Sequence, residues 1–151
     1  MNKKEMKLNE LEVWDGNACN AQALRQVGVD VLSAYPITPS TGTVEGYATL
    51  HSNGYVDGDI IMVESEHAAM SGCIGASAAG ARAATATSSQ GLALMVETLY
   101  QCSGMRLPVV LCLVTRALAS PLNVNGDHSD LYLTRDSGWI SLYAKTPQEA
   151  Y

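Results

Sequence analysis

The stretch VDVLSAYPITPST, residues 29–41, joins an apolar run of strand length to a corner that contains two prolines. Pro36 has no N–H and therefore cannot extend the hydrogen-bonded ladder of a strand. Thr38 followed by Pro39 is typical of an N-cap and the first residue of a helix. The stretch predicts a buried strand, a sharp corner and a helix that begins at Pro39.

The same alternation of strand and helix patterns continues along the chain. Further strands are predicted at 59–65, 82–88, 108–115 and 139–145, and helices at 17–27, 43–52, 66–81, 92–105 and 131–136. Strands that are apolar on both faces and separated by helices are typical of a parallel sheet covered on both sides. The sequence therefore predicts an α/β, doubly wound, mainly parallel sheet with right-handed crossovers. Ligands of such sheets bind beyond the carboxyl ends of the strands.

The composition limits the classes of partner. Hydrophobic residues make up 47% of the 151 residues and charged residues only 16%, as in a compact domain part of whose surface is covered by another protein. A net charge of −6 disfavours nucleic acids and anionic membranes, because no basic patch is available. No apolar run approaches the roughly 18–20 residues that span a bilayer.

Cysteine spacing argues against a metal centre in this chain. The cysteines are at positions 19, 73, 102 and 112, and none belongs to a CxxC pair. Zinc and iron–sulfur sites require closer spacings. The prediction is reduced, packed thiols in a cytoplasmic protein.

The two ends of the chain suggest its organisation. The charged start MNKKEMKLNELEVWDG lacks the apolar segment of a secretory signal. It predicts a leader over residues 1–14 and one domain over residues 15–151. Thr146, Pro147 and Glu149 form a capping box that starts a helix, although the sequence stops two residues after Glu149. We therefore expect a fragment of a longer polypeptide, truncated at its C-terminal end.

Polar groups stand at four predicted strand ends. The Thr38 hydroxyl is expected at the positive end of a helix, where it either binds a carboxylate or merely caps the helix. Glu66 opens a helix of small residues, as a functional acid or an ordinary first-turn acid, and Glu64 competes for any special role. The segment 87–91, TSSQG, is rich in hydroxyls, but the sequence has neither a GxGxxG nor a GxxxxGK[ST] motif. Arg116 at the fourth strand end could clamp a carboxylate or pair with an acid.

Four segments together resemble a known family. SAYPITPST (33–41), ESEHAA (64–69), TATSSQGL (85–92) and TRALASPLNVNGDHSD (115–130) are similar to the 2-oxoacid:ferredoxin oxidoreductases. The resemblance is to the N-terminal domain of the alpha subunit, the pyrimidine-binding domain for thiamine diphosphate, and runs from about Asp15 to the end. The last segment looks more like the pyruvate and branched-chain members than the 2-oxoglutarate members.

The resemblance implies roles for individual residues. Glu66 would hydrogen-bond N1′ of the cofactor's aminopyrimidine. Thr38 and Arg116 would hold the carboxylate and carbonyl of the 2-oxoacid. The other cofactor-binding residues would be Pro36, Ser88, Ser89 and Gln90. No metal ligand is implied in this chain.

The resemblance also implies a reaction and a set of partners. The reaction would be oxidative decarboxylation of a 2-oxoacid to acyl-CoA and carbon dioxide with reduction of ferredoxin, as in anaerobic metabolism. Pyruvate is the expected 2-oxoacid. Thiamine diphosphate would be shared with a beta subunit, while magnesium and iron–sulfur clusters would reside in partner subunits of a hetero-oligomer. The chain alone would then be inactive. Branched-chain 2-oxoacid oxidation, a different thiamine enzyme and a non-catalytic assembly module are the alternatives.

Overall fold

The structure is a computed structural model, and it describes residues 11–118 and 121–151. Most of the predicted leader, residues 1–10, lies outside the described residues, as do residues 119–120 of the segment that follows the fourth strand.

The described chain is an alternation of strands and helices. The strands are β1 (Val31–Ala34), β2 (Asp59–Met62), β3 (Ala83–Thr87) and β4 (Val109–Leu113). The helices are α1 (Gly16–Val27), α2 (Thr41–Ser52), α3 (Glu66–Ala78), α4 (Ser89–Gly104), a short 3-10 helix α5 (Leu131–Thr134) and a terminal turn α6 (Pro147–Ala150). All strand pairs are parallel and the order is β2-β1-β3-β4. The predicted parallel α/β fold is confirmed.

Apolar side chains on the two faces of the sheet form two separate cores. On one face, Leu24 of α1 and Tyr47 of α2 pack with Leu32 of the sheet. On the other face, Met70 of α3 and Leu99 of α4 belong to a second cluster. Because successive side chains of a strand point to opposite faces, the short alanine-rich β3 contributes to both cores. The sheet is therefore covered by helices on both sides.

The connections place a crevice between β1 and β3. The chain leaves β1 through α2 on one face and leaves β3 through α4 on the other face. β1 pairs with β3 only at Val31 and Leu32, whereas β3 and β4 pair over five residues. The two central strands thus part toward their carboxyl ends. This switch point is where parallel α/β sheets bind ligands.

The predicted strand over residues 139–145 is wrong. Among the described residues the sheet ends at β4, and the segment from residue 139 has no ladder partner. The indole Nε1 of Trp139 donates to the carbonyl of Leu99 over 2.9 Å, which fastens the start of the segment to α4. The side chains of Ile140 and Leu142 are exposed, at 87% and 90%. An alternating pattern alone does not supply the neighbouring strand that a ladder requires.

The predicted helix start at Pro39 is also wrong. α2 begins at Thr41 with Ser40 as its cap residue, and Thr38 lies before the helix, with its side chain exposed. The carbonyl of Ile37 accepts from both the Thr41 N–H, over 3.2 Å, and the Ser40 hydroxyl, over 2.8 Å. These bonds form a turn over residues 38–40, so the helix starts two residues later. The Thr38–Pro39 peptide bond is cis.

The cysteines of the chain are free thiols, and three of them, Cys19, Cys73 and Cys102, are buried. Burial raises the pKa of the Cys73 thiol to about 12, and the Cys73 thiol donates to the carbonyl of Ala84. Within residues 11–118 and 121–151, no helix is both long and apolar enough to cross a membrane. At the end of the chain, the predicted helix start is confirmed, because the Thr146 hydroxyl accepts from the Glu149 N–H. The other half of the predicted capping box differs, because the Glu149 carboxylate accepts from the Lys145 N–H and not from that of Thr146.

Candidate functional site

A buried arginine connects two corners at the carboxyl edge of the sheet. Arg116 follows β4 and is only 5% exposed. Its Nη1 donates to the backbone carbonyl of Thr38 over 2.8 Å, and its Nη2 donates to Oε1 of Gln90 over 2.7 Å. One guanidinium therefore bridges the corner after β1 and the corner after β3. The two bonds fix the plane of the guanidinium group.

A carboxylate that the sequence reasoning missed holds the backbone of this region. Asp130 is fully buried, and its Oδ2 accepts from the N–H of Ser89, over 2.8 Å, and of Arg116, over 2.9 Å. Its Oδ1 accepts from the N–H of Leu131 over 2.7 Å. The sequence offered a weak signal, since an acid directly before a short helical turn is a common cap. The long-range role follows from the tertiary structure alone.

The corner after β3 has an unusual backbone. Ser89 has a φ of +47°, a conformation that side chains with a Cβ rarely adopt. Besides its N–H bond to Asp130, its hydroxyl lies against the carbonyl of Ala117, at 2.6 Å, and against Oε1 of Gln90. Such conformations persist where the surroundings over-determine them, and they are frequent at functional sites.

The acid at the start of α3 is buried beside the same corner. Glu66 is 7% exposed, whereas Glu64 is exposed, so Glu66 is the acid that faces the protein interior. A Cβ added to Gly91 would lie 2.7 Å from Glu66 Oε1 and 2.4 Å from Thr87 Oγ1. Both oxygens thus occupy the space beside Gly91 of α4 in which a side chain would begin. Only glycine permits this approach.

Glu66 is the first residue of α3 and lies at the N-terminus of that helix. Ser65 caps the helix, since its hydroxyl accepts from the Ala68 N–H over 3.1 Å. Unpaired backbone N–H groups make the first turn of a helix electropositive. The buried Glu66 side chain therefore lies in an electropositive environment.

The corner also contains buried hydroxyls that have no hydrogen-bond partner among the described residues. In the described part of the chain, Thr87 Oγ1 and Ser88 Oγ are buried and have no hydrogen-bond partner. An unsatisfied buried polar atom is costly, and a bound group that supplies a partner would remove that cost. These hydroxyls lie on the segment that runs from β3 to Gly91.

Most of the expected site residues are brought to one edge of the sheet. Hydrogen bonds join Arg116 to Thr38 and Gln90, and the carboxyl of Glu66 lies against the 87–91 corner. Pro36 is exposed at the end of β1. His67 is partly exposed, and its Nε2 lies 3.7 Å from Oε2 of Glu97 on α4.

A cavity of about 690 Å³ lies elsewhere, between β4, the start of α1 and residues 139–144. None of the expected site residues lines this cavity. Within the described residues, no group of three His, Cys, Asp or Glu side chains is placed to hold a metal ion. The polar convergence around Arg116 and Glu66 is therefore the better candidate site.

Comparison with known proteins identifies the family of the chain. The model of a family described as "Pyruvate flavodoxin/ferredoxin oxidoreductase, thiamine diP-bdg" matches residues 22–151. The chain is 53% identical over 140 residues to pyruvate synthase subunit PorA of Methanocaldococcus jannaschii, which covers 93% of this chain and 36% of that protein. It is 56% identical to PorA of Thermotoga maritima over 131 residues, 87% of this chain and 33% of that protein.

A second kind of relative is nearly as similar. Ketoisovalerate oxidoreductase subunit VorA of Pyrococcus abyssi is 50% identical over 140 residues, which cover 93% of this chain and 35% of that protein. The chain thus spans about a third of the length of these relatives.

A solved structure has the same fold. It is a 2-oxoglutarate:ferredoxin oxidoreductase from Magnetococcus marinus with 2-oxoglutarate, coenzyme A and succinyl-CoA bound, with a TM-score of 0.67 and 34% identity over 74% of this chain and 19% of that chain. With the family match over residues 22–151 and the PorA relatives, this places the chain in the 2-oxoacid:ferredoxin oxidoreductase family, as the thiamine-diphosphate-binding N-terminal domain of an alpha subunit.

Proposed function

We propose that this chain supplies the pyrimidine side of the thiamine diphosphate site in an enzyme that oxidises pyruvate. In the overall reaction, a 2-oxoacid, CoA and two oxidised ferredoxins give acyl-CoA, carbon dioxide, a proton and two reduced ferredoxins. The observation that carries the proposal is the buried guanidinium of Arg116, which bridges Thr38 and Gln90 at the edge where Glu66 is buried.

The residues around Glu66 fit the aminopyrimidine of the cofactor. The Glu66 carboxyl would donate its proton in a hydrogen bond to N1′, which has a lone pair and no hydrogen in the aminopyrimidine. The Thr87 and Ser88 hydroxyls, which have no partner in the structure, would bind the polar edge of the ring. Pro36 and Ser89 would complete the surroundings. When bound, thiamine diphosphate supplies the nucleophilic carbon and accepts the electron pair that carbon dioxide leaves behind. Gly91 keeps space for the Glu66 carboxyl, because any side chain there would collide with it.

Arg116 and Thr38 would bind the substrate. The carbonyl of Thr38 and the amide of Gln90 use one N–H on each terminal nitrogen of Arg116, so each nitrogen keeps a second N–H for the carboxylate. The exposed Thr38 hydroxyl would donate to the carboxylate or the 2-oxo group. A cation held in place before binding attracts the 2-oxoacid without reorganisation at the moment of reaction.

The choice of pyruvate rests on the pyruvate synthase subunits at 53% and 56% identity and is open to a direct test. Identity alone does not separate the two substrates, since ketoisovalerate subunits of Pyrococcus are 50% identical to the chain and pyruvate synthase subunits of the same genus are 46–47% identical. We would assemble the complete polypeptide with its partner subunits and measure CoA-dependent ferredoxin reduction with pyruvate and with a branched-chain 2-oxoacid. A higher kcat/KM for pyruvate is expected. A preference for the branched acid would establish the alternative, and no reduction with any 2-oxoacid would refute the proposal.

We also propose that the chain works only within a hetero-oligomer in the cytoplasm. A beta subunit would contribute the diphosphate and magnesium side of the cofactor site, and ferredoxin-type subunits would carry the iron–sulfur clusters. The subunit names of its relatives support an assembly of several chains. The 151-residue chain with thiamine diphosphate alone is expected to show no turnover, and activity should appear once the partner subunits are added.

A further inference from the structure

Asp130 is a buried charge whose contacts are backbone groups. The residue has no exposed surface, and its two oxygens accept from the N–H groups of Ser89, Arg116 and Leu131. A buried carboxylate is costly unless hydrogen bonds replace its water. Three donors at 2.7–2.9 Å provide that replacement, and bonds to a charged acceptor are stronger than neutral ones.

The two donors on Oδ2 come from different strand ends. Ser89 follows β3 and Arg116 follows β4. Asp130 Oδ2 therefore fixes the distance between Arg116 and the 87–91 corner, which contains Gln90. It also stabilises Ser89 in its positive-φ conformation.

The loop between Arg116 and Asp130 is closed by further bonds. The Ala117 N–H donates to the carbonyl of Asn125 over 3.1 Å, and the Leu118 N–H donates to the Ser129 hydroxyl over 3.0 Å. The two sides of the loop thus run together, which brings Asp130 back to the residue from which the loop began.

We propose that Asp130 is a positioning residue for the substrate end of the site. It does not touch the substrate; it holds the backbone of Arg116 and of Ser89 so that the guanidinium and the Gln90 amide meet in one place. The inference rests on the proposed substrate role of Arg116. An asparagine at position 130 would keep the shape but lose the charge and one acceptor oxygen, so at least one of the Oδ2 bonds would weaken.

The test compares Asp130→Asn with Asp136→Asn in the complete polypeptide assembled with its partner subunits. Asp136 is exposed and serves as the matched control. We expect Asp130→Asn to raise the KM for the 2-oxoacid about tenfold or more, since a hydrogen bond to a charged group contributes on that order. The Kd for thiamine diphosphate should rise by a smaller factor than the KM, because Ser89 is also expected near the cofactor. Hydrogen exchange at the Ser89 and Arg116 amides should accelerate in Asp130→Asn and not in Asp136→Asn.

The outcomes separate this inference from the function on which it rests. If the wild-type complex fails to reduce ferredoxin with any 2-oxoacid, both are overturned. If the wild type is active and Asp130→Asn has the wild-type KM, only the positioning role is wrong. A KM and a thiamine diphosphate Kd that rise by the same factor would point to general damage and would also overturn it.

A second variant covers the case in which Asp130→Asn does not assemble. Ser89→Gly combined with Asp130→Asn removes the strain at positive φ, because glycine adopts that conformation freely. The Arg116 N–H would still lack its carboxylate partner, so the double variant should assemble and keep the raised KM. A wild-type KM in the double variant would contradict the proposal.

Discussion

Arg116 and Thr38 are 78 positions apart in the sequence and are joined by a hydrogen bond of 2.8 Å from the guanidinium to the backbone carbonyl. The bond closes the corner after β1 onto the residue that follows β4, across the carboxyl edge of β3. Its acceptor is a main-chain atom. The bond therefore depends on the path of the SAYPITPST segment and not on the side chain at position 38.

The first prediction concerns the cation. Arg116→Lys keeps the charge but replaces a planar fork with a single ammonium group, which cannot bond Thr38, Gln90 and a carboxylate in the same geometry. We expect the KM for the 2-oxoacid to rise about tenfold to a hundredfold, with thiamine diphosphate affinity unchanged. Arg135→Lys, at an exposed arginine that pairs with Asp136, is the control. An unchanged KM in Arg116→Lys would remove this residue from substrate binding.

The second prediction separates an active site from an assembly module. The side chain of Thr38 is exposed and does not cap α2, so Thr38→Ala should change the free energy of unfolding by less than about 0.5 kcal/mol. Loss of the hydroxyl should weaken 2-oxoacid binding in the assembled complex. Steady-state kinetics and thermal unfolding of the same preparation test both statements. A lowered melting temperature with unaltered substrate affinity would favour the assembly module.

The third prediction concerns the close contact between α4 and Glu66. In Gly91→Ala, the new Cβ would be 2.4 Å from Thr87 Oγ1 and 2.8 Å from Glu66 Cγ, so both side chains must move. Thiamine diphosphate binding, measured by calorimetry on the assembled complex, should weaken at least tenfold, a cost of about 1.4 kcal/mol. Gly104→Ala in the same helix meets nothing within 4 Å and should bind normally. Equal affinity in the two variants would show that the Glu66 side chain is not needed where it lies.

The fourth prediction is a dependence of stability on pH. Burial raises the pKa of the Cys73 thiol from 9.0 to about 12. Between these values, the thiol ionises in the unfolded chain but stays protonated in the folded chain, so unfolding releases a proton and becomes easier as the pH rises. This thiol should lower the free energy of unfolding by about 1.4 kcal/mol per pH unit above pH 9. Denaturant unfolding at pH 8 and pH 10 should show a shallower decline for Cys73→Ala, and parallel declines would contradict the assignment.

The parts of the fold that the sequence predicts are those fixed by local chemistry. Apolar runs such as VDVLSA specify buried strands because their side chains must be covered on both faces. Thr146 before Pro147 specifies a helix start because its hydroxyl accepts from a backbone N–H of the first turn. Away from these local signals the predictions are less accurate. WISLYAK (139–145) alternates like a strand, but a strand there would need a neighbouring strand of the sheet to pair with. In the structure Trp139 donates a hydrogen bond to Leu99 of α4.

The candidate site also contains residues that the sequence identifies and residues that only the tertiary structure reveals. Glu66 and Arg116 can be named because they stand at strand ends in a segment with a recognisable family pattern. The predicted helix cap at Thr38 is wrong because the Thr41 N–H and the Ser40 hydroxyl both donate to the Ile37 carbonyl and form a turn before the helix. Residue types alone do not predict these two bonds. The sequence does not identify Asp130 as a site residue because it lies in a polar stretch that resembles an ordinary surface loop. Its burial arises only when the loop folds back onto Ser89 and Arg116.

The central claim is that the site around Glu66 is the catalytic site. Its most direct test is the substitution of the Glu66 carboxyl by the amide of glutamine. Glu66→Gln should reduce the turnover of pyruvate by the assembled complex at least a hundredfold, about 2.7 kcal/mol, because an amide cannot serve N1′ of the pyrimidine as a carboxyl group does. The exposed Glu64→Gln, two residues away, should keep wild-type turnover. If Glu66→Gln turns over pyruvate at the wild-type rate with thiamine diphosphate bound, the site described here is not the catalytic one.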